Sequence, residues 1–255
     1  MSIEQGTKIN TLLAQMRPNG LLFSTWLKTC GYSAQLQKRY RDTGWLTTLS
    51  KGVMYRTGAQ LSALQSLASY TEQLGITPHI AAISALEYAG YNHYVPMGKP
   101  LLMVALPQGL KSPLWMSHDV FDMRFQTFTT QAFACQEVNA APNDAHLYVS
   151  APEQAFLECL FLAPKFYSYM DLYYIMEQLT TLRSDVLQRL LTGTDSYRVK
   201  RMFMYMAEKA GHYWFEELNP DQITLGTSKL QLVKNGIYNA KYKITVPQEL
   251  ESYEG

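Results

Sequence analysis

Little in this sequence belongs to a catalyst, a membrane protein or a secreted scaffold. Its three cysteines, Cys30, Cys135 and Cys159, are widely spaced, form no Cys-x-x-Cys pair and stand among apolar neighbours. They read as reduced core residues, which excludes a disulfide framework or a zinc ribbon. The five histidines, His79, His93, His118, His146 and His212, show no metal-ligand spacing. The nucleophile elbow, the dinucleotide fingerprint, the P-loop and the His-Glu-x-x-His motif are all missing. His118-Asp119 with Asp122 comes nearest to an acid–base or metal cluster, and a turn before a strand accounts for it. No apolar run reaches the roughly 18 residues of a membrane span, and no basic stretch leads into an apolar one at the N-terminus. A cytoplasmic protein that is not an enzyme and needs neither metal nor cofactor is expected. With 17% charged against 47% hydrophobic residues, the composition is globular, neither disordered nor coiled. Its 255 residues suffice for one large domain or two ordinary ones.

The net charge of +1 hides an asymmetry. Up to position 60 there are eight basic residues, Lys8, Arg17, Lys28, Lys38, Arg39, Arg41, Lys51 and Arg56, against Glu4 and Asp42, a balance of +6. The remainder holds 14 basic and 19 acidic residues, a balance of −5. An N-terminal module that meets a polyanion, joined to a module with another task, fits this partition.

Within the basic part, Ser33 is placed to cap a short helix and Gly44 to stop it in a left-handed conformation. Leu36 and Tyr40 would face a core, while Ala34, Gln37, Lys38 and Arg41 share a second face at i, i+3, i+4, i+7. Gln, Lys and Arg bond base edges and phosphates in a major groove, and a small Ala permits close approach. Upstream, Ile9, Leu12, Leu13 and Met16 predict a helix over about 7–16, stopped by Arg17-Pro18-Asn19-Gly20. Ser24 is expected to cap a helix through Trp26, Leu27 and Cys30 to Gly31. Two short helices about a tight Gly turn make a helix-turn-helix. Leu46–Leu49, the turn Ser50-Lys51-Gly52 and Val53–Arg56 read as a β-hairpin. Such a hairpin is a wing, with Lys51 at its tip and Arg56 at its base.

Leu61, Leu64, Leu67 and Leu74 continue with a helix over 59–74, and Thr77-Pro78 is expected to start another through Ile80, Ile83 and Leu86. Turn formers in 91–100 mark a boundary. Beyond it Leu101–Leu106, Phe121–Thr127 and Ala145–Val149 read as strands. Ser150-Ala151-Pro152-Glu153 reads as a capping box before a helix through Phe156, Cys159 and Leu160. Three more amphipathic helices follow, and Lys234-Asn235-Gly236 suggests a hairpin turn near the end. The fold class is α+β: an N-terminal winged helix-turn-helix domain with extra helices over 1–95, then a larger α+β domain over 96–255.

The chain resembles the AbiEi family of bacterial antitoxins and transcriptional regulators, from toxin–antitoxin systems of type IV. The resemblance runs from Lys8 through Gly44-Trp45-Leu46 and Gly52-Val53-Met54-Tyr55-Arg56, then Ser84 to Gly90, Ser150 to Ala155, and Val199 to His212. It covers nearly the whole chain. It implies an N-terminal winged helix that binds inverted repeats upstream of its own operon, and a C-terminal domain that neutralises a cognate nucleotidyltransferase-like toxin, with or without direct contact. By position, Ser33, Gln35, Gln37, Lys38 and Arg41 fall on the recognition helix, and Lys51 and Arg56 on the wing. A second basic group, Arg198, Lys200, Arg201 and Lys209, lies on one side of a later helix, either as a solvated face or as a toxin or RNA contact surface. Two other readings stand beside the repressor. A ligand-sensing regulator would hold a closed apolar pocket, and a nucleic-acid-processing enzyme would gather His118, Asp119, Asp122 and His146 in a cleft.

Overall fold

A computed structural model describes residues 2–91, 98–129, 137–141 and 144–254, with side chains from Lys8 onward except at 144 and 145. The chain forms two compact units, Met1–His79 with Pro96–Thr129 and Ala140–Tyr148, and Ile80–Val95 with Thr130–Asn139 and Val149–Gly255. His93, Cys135 and most of the turn-rich stretch 91–100 lie outside the described residues.

The first unit begins with a winged helix-turn-helix: α1 (Ser2–Gln15), β1 (Leu22–Phe23), α2 (Ser24–Thr29), α3 (Ala34–Asp42), β2 (Leu46–Ser50) and β3 (Val53–Arg56). β3 pairs antiparallel with both neighbours in the order β1-β3-β2, Leu22 opposite Met54 and Thr47 opposite Tyr55. Ile9, Leu12, Met16, Leu27 and Tyr40, anticipated from spacing, form one core with Leu22, Tyr32, Leu46 and Met54. This burial is what holds such short helices, which would be marginal alone. α4 (Ala63–Leu74) follows, ended by Gly75 in the left-handed region. It is tied to β1 through Gln73, whose Oε1 accepts from Phe23 N at 3.0 Å and whose Nε2 donates to Leu21 O at 2.8 Å. Arg17 adds an ion pair with Glu72 at 2.9 Å.

β4 (His79–Ile80) and α5 (Ala82–Tyr88) occupy the stretch expected to be a single helix after Pro78; the residues after the proline pair as a strand, and the helix starts later. β5 (Leu101–Leu106), β6 (Arg124–Thr129), β7 (Val138–Ala141) and β8 (Asp144–Ser150) complete a sheet of order β6-β5-β4-β8-β7, with β5 and β6 parallel. In the first unit Trp115, 2% exposed, meets Phe23, Tyr70, Phe121 and Phe125 at centroid distances of 5.2–6.2 Å.

The second unit is built on α6 (Pro152–Leu162), buried almost all round, with α7 (Tyr169–Gln178), α8 (Ser184–Gly193) and α9 (Tyr197–Ala210). The expected capping box does not form. Ala151 holds the cap position without a side-chain bond, Ser150 donates instead to Glu158 at 3.0 Å, and Glu153 takes Arg183 at 3.0 Å. Glu158, fully buried, also accepts from Gln154 Nε2 at 2.7 Å and Ala82 N at 2.8 Å. A buried carboxylate recruits every nearby donor, and that demand outweighs a local cap.

α10 (Tyr213–Glu216), β9 (Leu230–Gln231), β10 (Ile237–Asn239), β11 (Ile244–Val246) and α11 (Gln248–Ser252) end the fold. The Lys234–Gly236 turn does not join a hairpin: β9 pairs parallel with β11, and the hairpin is β10–β11. Among the described residues no helix is long and apolar enough to cross a membrane. Cys159 is buried as expected, whereas Cys30 is exposed, because α2 ends there and presents it to solvent.

Candidate nucleic-acid interface

Local chemistry sets α3 where its sequence signals placed it. Ser33 Oγ accepts from Leu36 N at 3.3 Å, and Gly44 ends the segment at φ +77°, a conformation that penalises any residue with a Cβ. Gly52 makes the same excursion at the wing tip, at φ +77°. Trp45 N donates to Tyr40 O at 2.9 Å, which leads the chain directly from helix to wing.

On α3, Leu36 and Tyr40 point inward while Gln35, Lys38 and Arg39 are exposed. Ser33 is exposed at the helix start, Lys51 at the wing tip and Arg56 at the wing base. Arg41 is half-buried, its guanidinium Nη1 3.2 Å from Met54 Sδ, so its stem lies over the hairpin. Residues 24–60 carry six basic side chains and a single acid, Asp42. The result is a solvent-facing basic surface made by one helix and the hairpin braced against it.

Gln37 departs from the expected wheel. It is 2% exposed rather than projecting with Lys38 and Arg41. Its position three residues before Tyr40 puts it on the inward strip, where polar backbone awaits it. Gln37 Oε1 accepts from Ser24 Oγ at 2.7 Å, and Nε2 donates to Tyr32 O at 2.8 Å and to Ser24 O at 3.3 Å. Ser24 is thus not a cap, as expected, but the first residue of α2 and a partner of α3. Lys28, exposed on α2, shares with Ala34, Gln37, Arg41, Thr48 and Gly52 an open cleft of about 250 Å³. In the sequence Lys28 registers only as charge; its spacing of four from Ser24 is the signal that joins it to this cleft.

The second basic group is largely turned inward. Arg201, 1% exposed, donates to Leu225 O at 2.5 Å, Ser228 O at 2.6 Å and Lys243 O at 3.1 Å. Arg198 donates to the carbonyls of Phe161, at 2.7 Å, and Ala163 at the end of α6. Lys200, 4% exposed, lies 5.9 Å from the Tyr197 ring centroid, and burial pulls its ammonium below the usual lysine range despite the nearby Asp195. Lys209 donates to Glu251 O at 3.3 Å. Lys200 and Arg201 are thus buried and Arg198 and Lys209 half-buried, and three of the four donate to carbonyls within the second unit, so the group is not an open solvated face.

The acidic residues of the enzyme alternative have other uses. Asp122 Oδ1 accepts from Ala63 N at 2.7 Å, capping α4. Asp119 is paired with Lys99 at 2.6 Å, whose hydrogen bond and charge hold its carboxyl below the usual range. Among the described residues no group of three or more His, Cys, Asp or Glu is arranged to hold a metal ion.

Two family models match the chain. Residues 5–97 match the N-terminal domain of AbiEi antitoxin transcriptional regulators. Residues 100–247 match a model described as transcriptional regulator, AbiEi antitoxin, of type IV toxin–antitoxin systems. A search of curated proteins found no match. The crystal structure of the RV2827C protein from Mycobacterium tuberculosis is similar, with a TM-score of 0.60 and 16% sequence identity over 95% of this chain and 91% of that one. At that identity the likeness speaks for the fold alone.

Proposed function

Since the chain belongs to the AbiEi family of antitoxins and transcriptional regulators of type IV toxin–antitoxin systems, we propose that it represses its own operon by binding promoter DNA through the winged helix. The observation that carries this reading is the exposure of Gln35 and Lys38 on α3 and of Lys51 and Arg56 on the adjoining hairpin. In this reading α3 enters the major groove. Gln35 and Lys38 meet base edges. Ser33 and Arg41 bond the flanking backbone, and Lys51 and Arg56 hold phosphates, which position the protein without reading sequence. Gln37 stands behind the reading face and makes no contact with the duplex itself. Residues 1–95 then form the DNA-binding module and 96–255 the antitoxin module.

The operator is duplex DNA with inverted repeats upstream of the operon, so two copies bind related half-sites. The antitoxin module counters a nucleotidyltransferase-like toxin in the cytoplasm, with no interface to it inferred. A reporter driven by the operon's own promoter tests the repressor half. Expression of the chain should silence it, and the Lys38→Ala, Lys51→Ala double variant should restore it at equal protein level. A reporter indifferent to the wild-type chain would contradict the reading. For the antitoxin half, the neighbouring toxin gene should arrest growth alone and be harmless when co-expressed with this chain.

A further inference from the structure

The recognition helix turns one uncharged polar side chain inward, and the way that side chain is held deepens the promoter reading and depends on it. We infer that Gln37 is a specificity-determining positioning residue: it fixes the pose of α3 against α2 and the wing so that groove and backbone contacts are made together.

Three observations carry this. Gln37 is 2% exposed, so its amide has left water and must find partners within the fold. It finds them on two other segments. Ser24 offers its hydroxyl at 2.7 Å and its carbonyl at 3.3 Å from the first turn of α2, and Tyr32 offers its carbonyl at 2.8 Å from the turn between the helices. Ser24 in turn donates its backbone N–H to Gly52 O at the wing tip, at 2.8 Å. A single side chain thereby links α3, α2, their turn and, through one further bond, the wing.

An apolar residue at position 37 would fill the same space with many nearly equal packings. The amide is satisfied in one pose only, because any rotation of α3 leaves a buried donor or acceptor without a partner. Fixing that pose does nothing for attraction to phosphates as such. It decides whether Gln35 and Lys38 arrive at base edges while Lys51 and Arg56 are on the backbone. The residue therefore acts on the difference between the right and the wrong duplex, not on affinity for DNA in general.

The test compares the wild-type full chain with Gln37→Leu, Ser24→Ala and Ser24→Thr in anisotropy titrations. The promoter duplex is set against a shuffled duplex of equal length, and melting curves are recorded alongside. Gln37→Leu is expected to keep its affinity for the shuffled duplex within about twofold, with an unchanged salt slope, while its preference for the promoter falls at least about tenfold. Ser24→Ala should lose part of the preference and Ser24→Thr, which keeps the hydroxyl, should regain it. A folded Gln37→Leu with full preference, or an equal loss on both duplexes, overturns the inference. Should Gln37→Leu fail to fold, the Ser24 pair decides: equal preference in Ala and Thr overturns it. A wild-type chain that prefers no duplex removes the promoter reading and this inference together, whereas preference retained in every variant removes the inference alone.

Discussion

Two helices of this molecule carry basic clusters that look alike in sequence and behave in opposite ways. On α3, Lys38 and Arg39 are exposed and Arg41 is half out; on α9, Lys200 and Arg201 are buried, at 4% and 1% exposure. The difference lies in how many sides of the helix are covered. α3 packs one strip, Leu36 with Gln37 and Tyr40, into a small module, and the rest of its circumference faces water. α9 has Val199, Met202, Phe203, Met204, Tyr205, Met206 and Ala207 all buried, so its cations are enclosed along with them. Charge on a helix says that the side chain needs partners; neighbouring structure decides whether these are carbonyls, rings, water or a ligand.

The sharpest way to break this contrast is Arg201→Ala. It strands three carbonyls that the guanidinium now serves. We expect a loss of about 3 kcal/mol or more in urea unfolding, with duplex affinity of the folded protein unchanged. A loss of DNA binding without a loss of stability would reverse the assignment. Lys38→Ala should do the reverse, lowering promoter affinity by about 1–3 kcal/mol and leaving the unfolding midpoint in place within about 0.5 kcal/mol. Lys51→Ala is milder. It should weaken all duplexes alike and reduce the salt slope by about one unit.

The smallest expected effect concerns acid stability within the second unit. Burial alone would raise the carboxyl of Glu153, but hydrogen bonds and charge from Arg183 outweigh it and hold the group below its ordinary value of 4.5. A depressed folded value means that the contribution is present above the unfolded pKa and disappears as pH falls through the folded one. Glu153→Gln should therefore cost stability near neutrality and flatten the loss below about pH 4.5. Parallel acid limbs in the two proteins would show that the pair contributes nothing.

Much of the fold was legible where local chemistry decides it. Ser33, Gly44 and Gly52 each have one conformational role available, and the structure uses them that way. Apolar spacing placed Ile9, Leu12, Met16, Leu27 and Tyr40 in the core of the winged helix, whereas Tyr32, Leu46 and Met54 join it through the turn and the hairpin. What escaped reading depends on contacts between different elements, which local spacing does not fix. Ser150 and Glu153 have the spacing of a capping box, yet Glu158 and Arg183 claim them. Lys234-Asn235-Gly236 has the composition of a hairpin turn, yet β11 inserts between β9 and β10. The helical wheel set Gln37 on the basic face with Lys38 and Arg41, and only Ser24 and Tyr32, brought in by the turn, settle that it faces inward. The basic surface of α3 and the wing could be anticipated because nothing in that short module is large enough to cover it.

The most direct measurement is a titration of the full chain with its own promoter duplex and with a shuffled duplex, from low to physiological salt. The promoter should bind at least about a hundredfold more tightly at physiological salt, with a steep linear fall in log affinity that Lys51→Ala makes shallower. Equal affinity for both duplexes at every salt concentration, unaffected by changes at Lys38 and Lys51, would contradict the account.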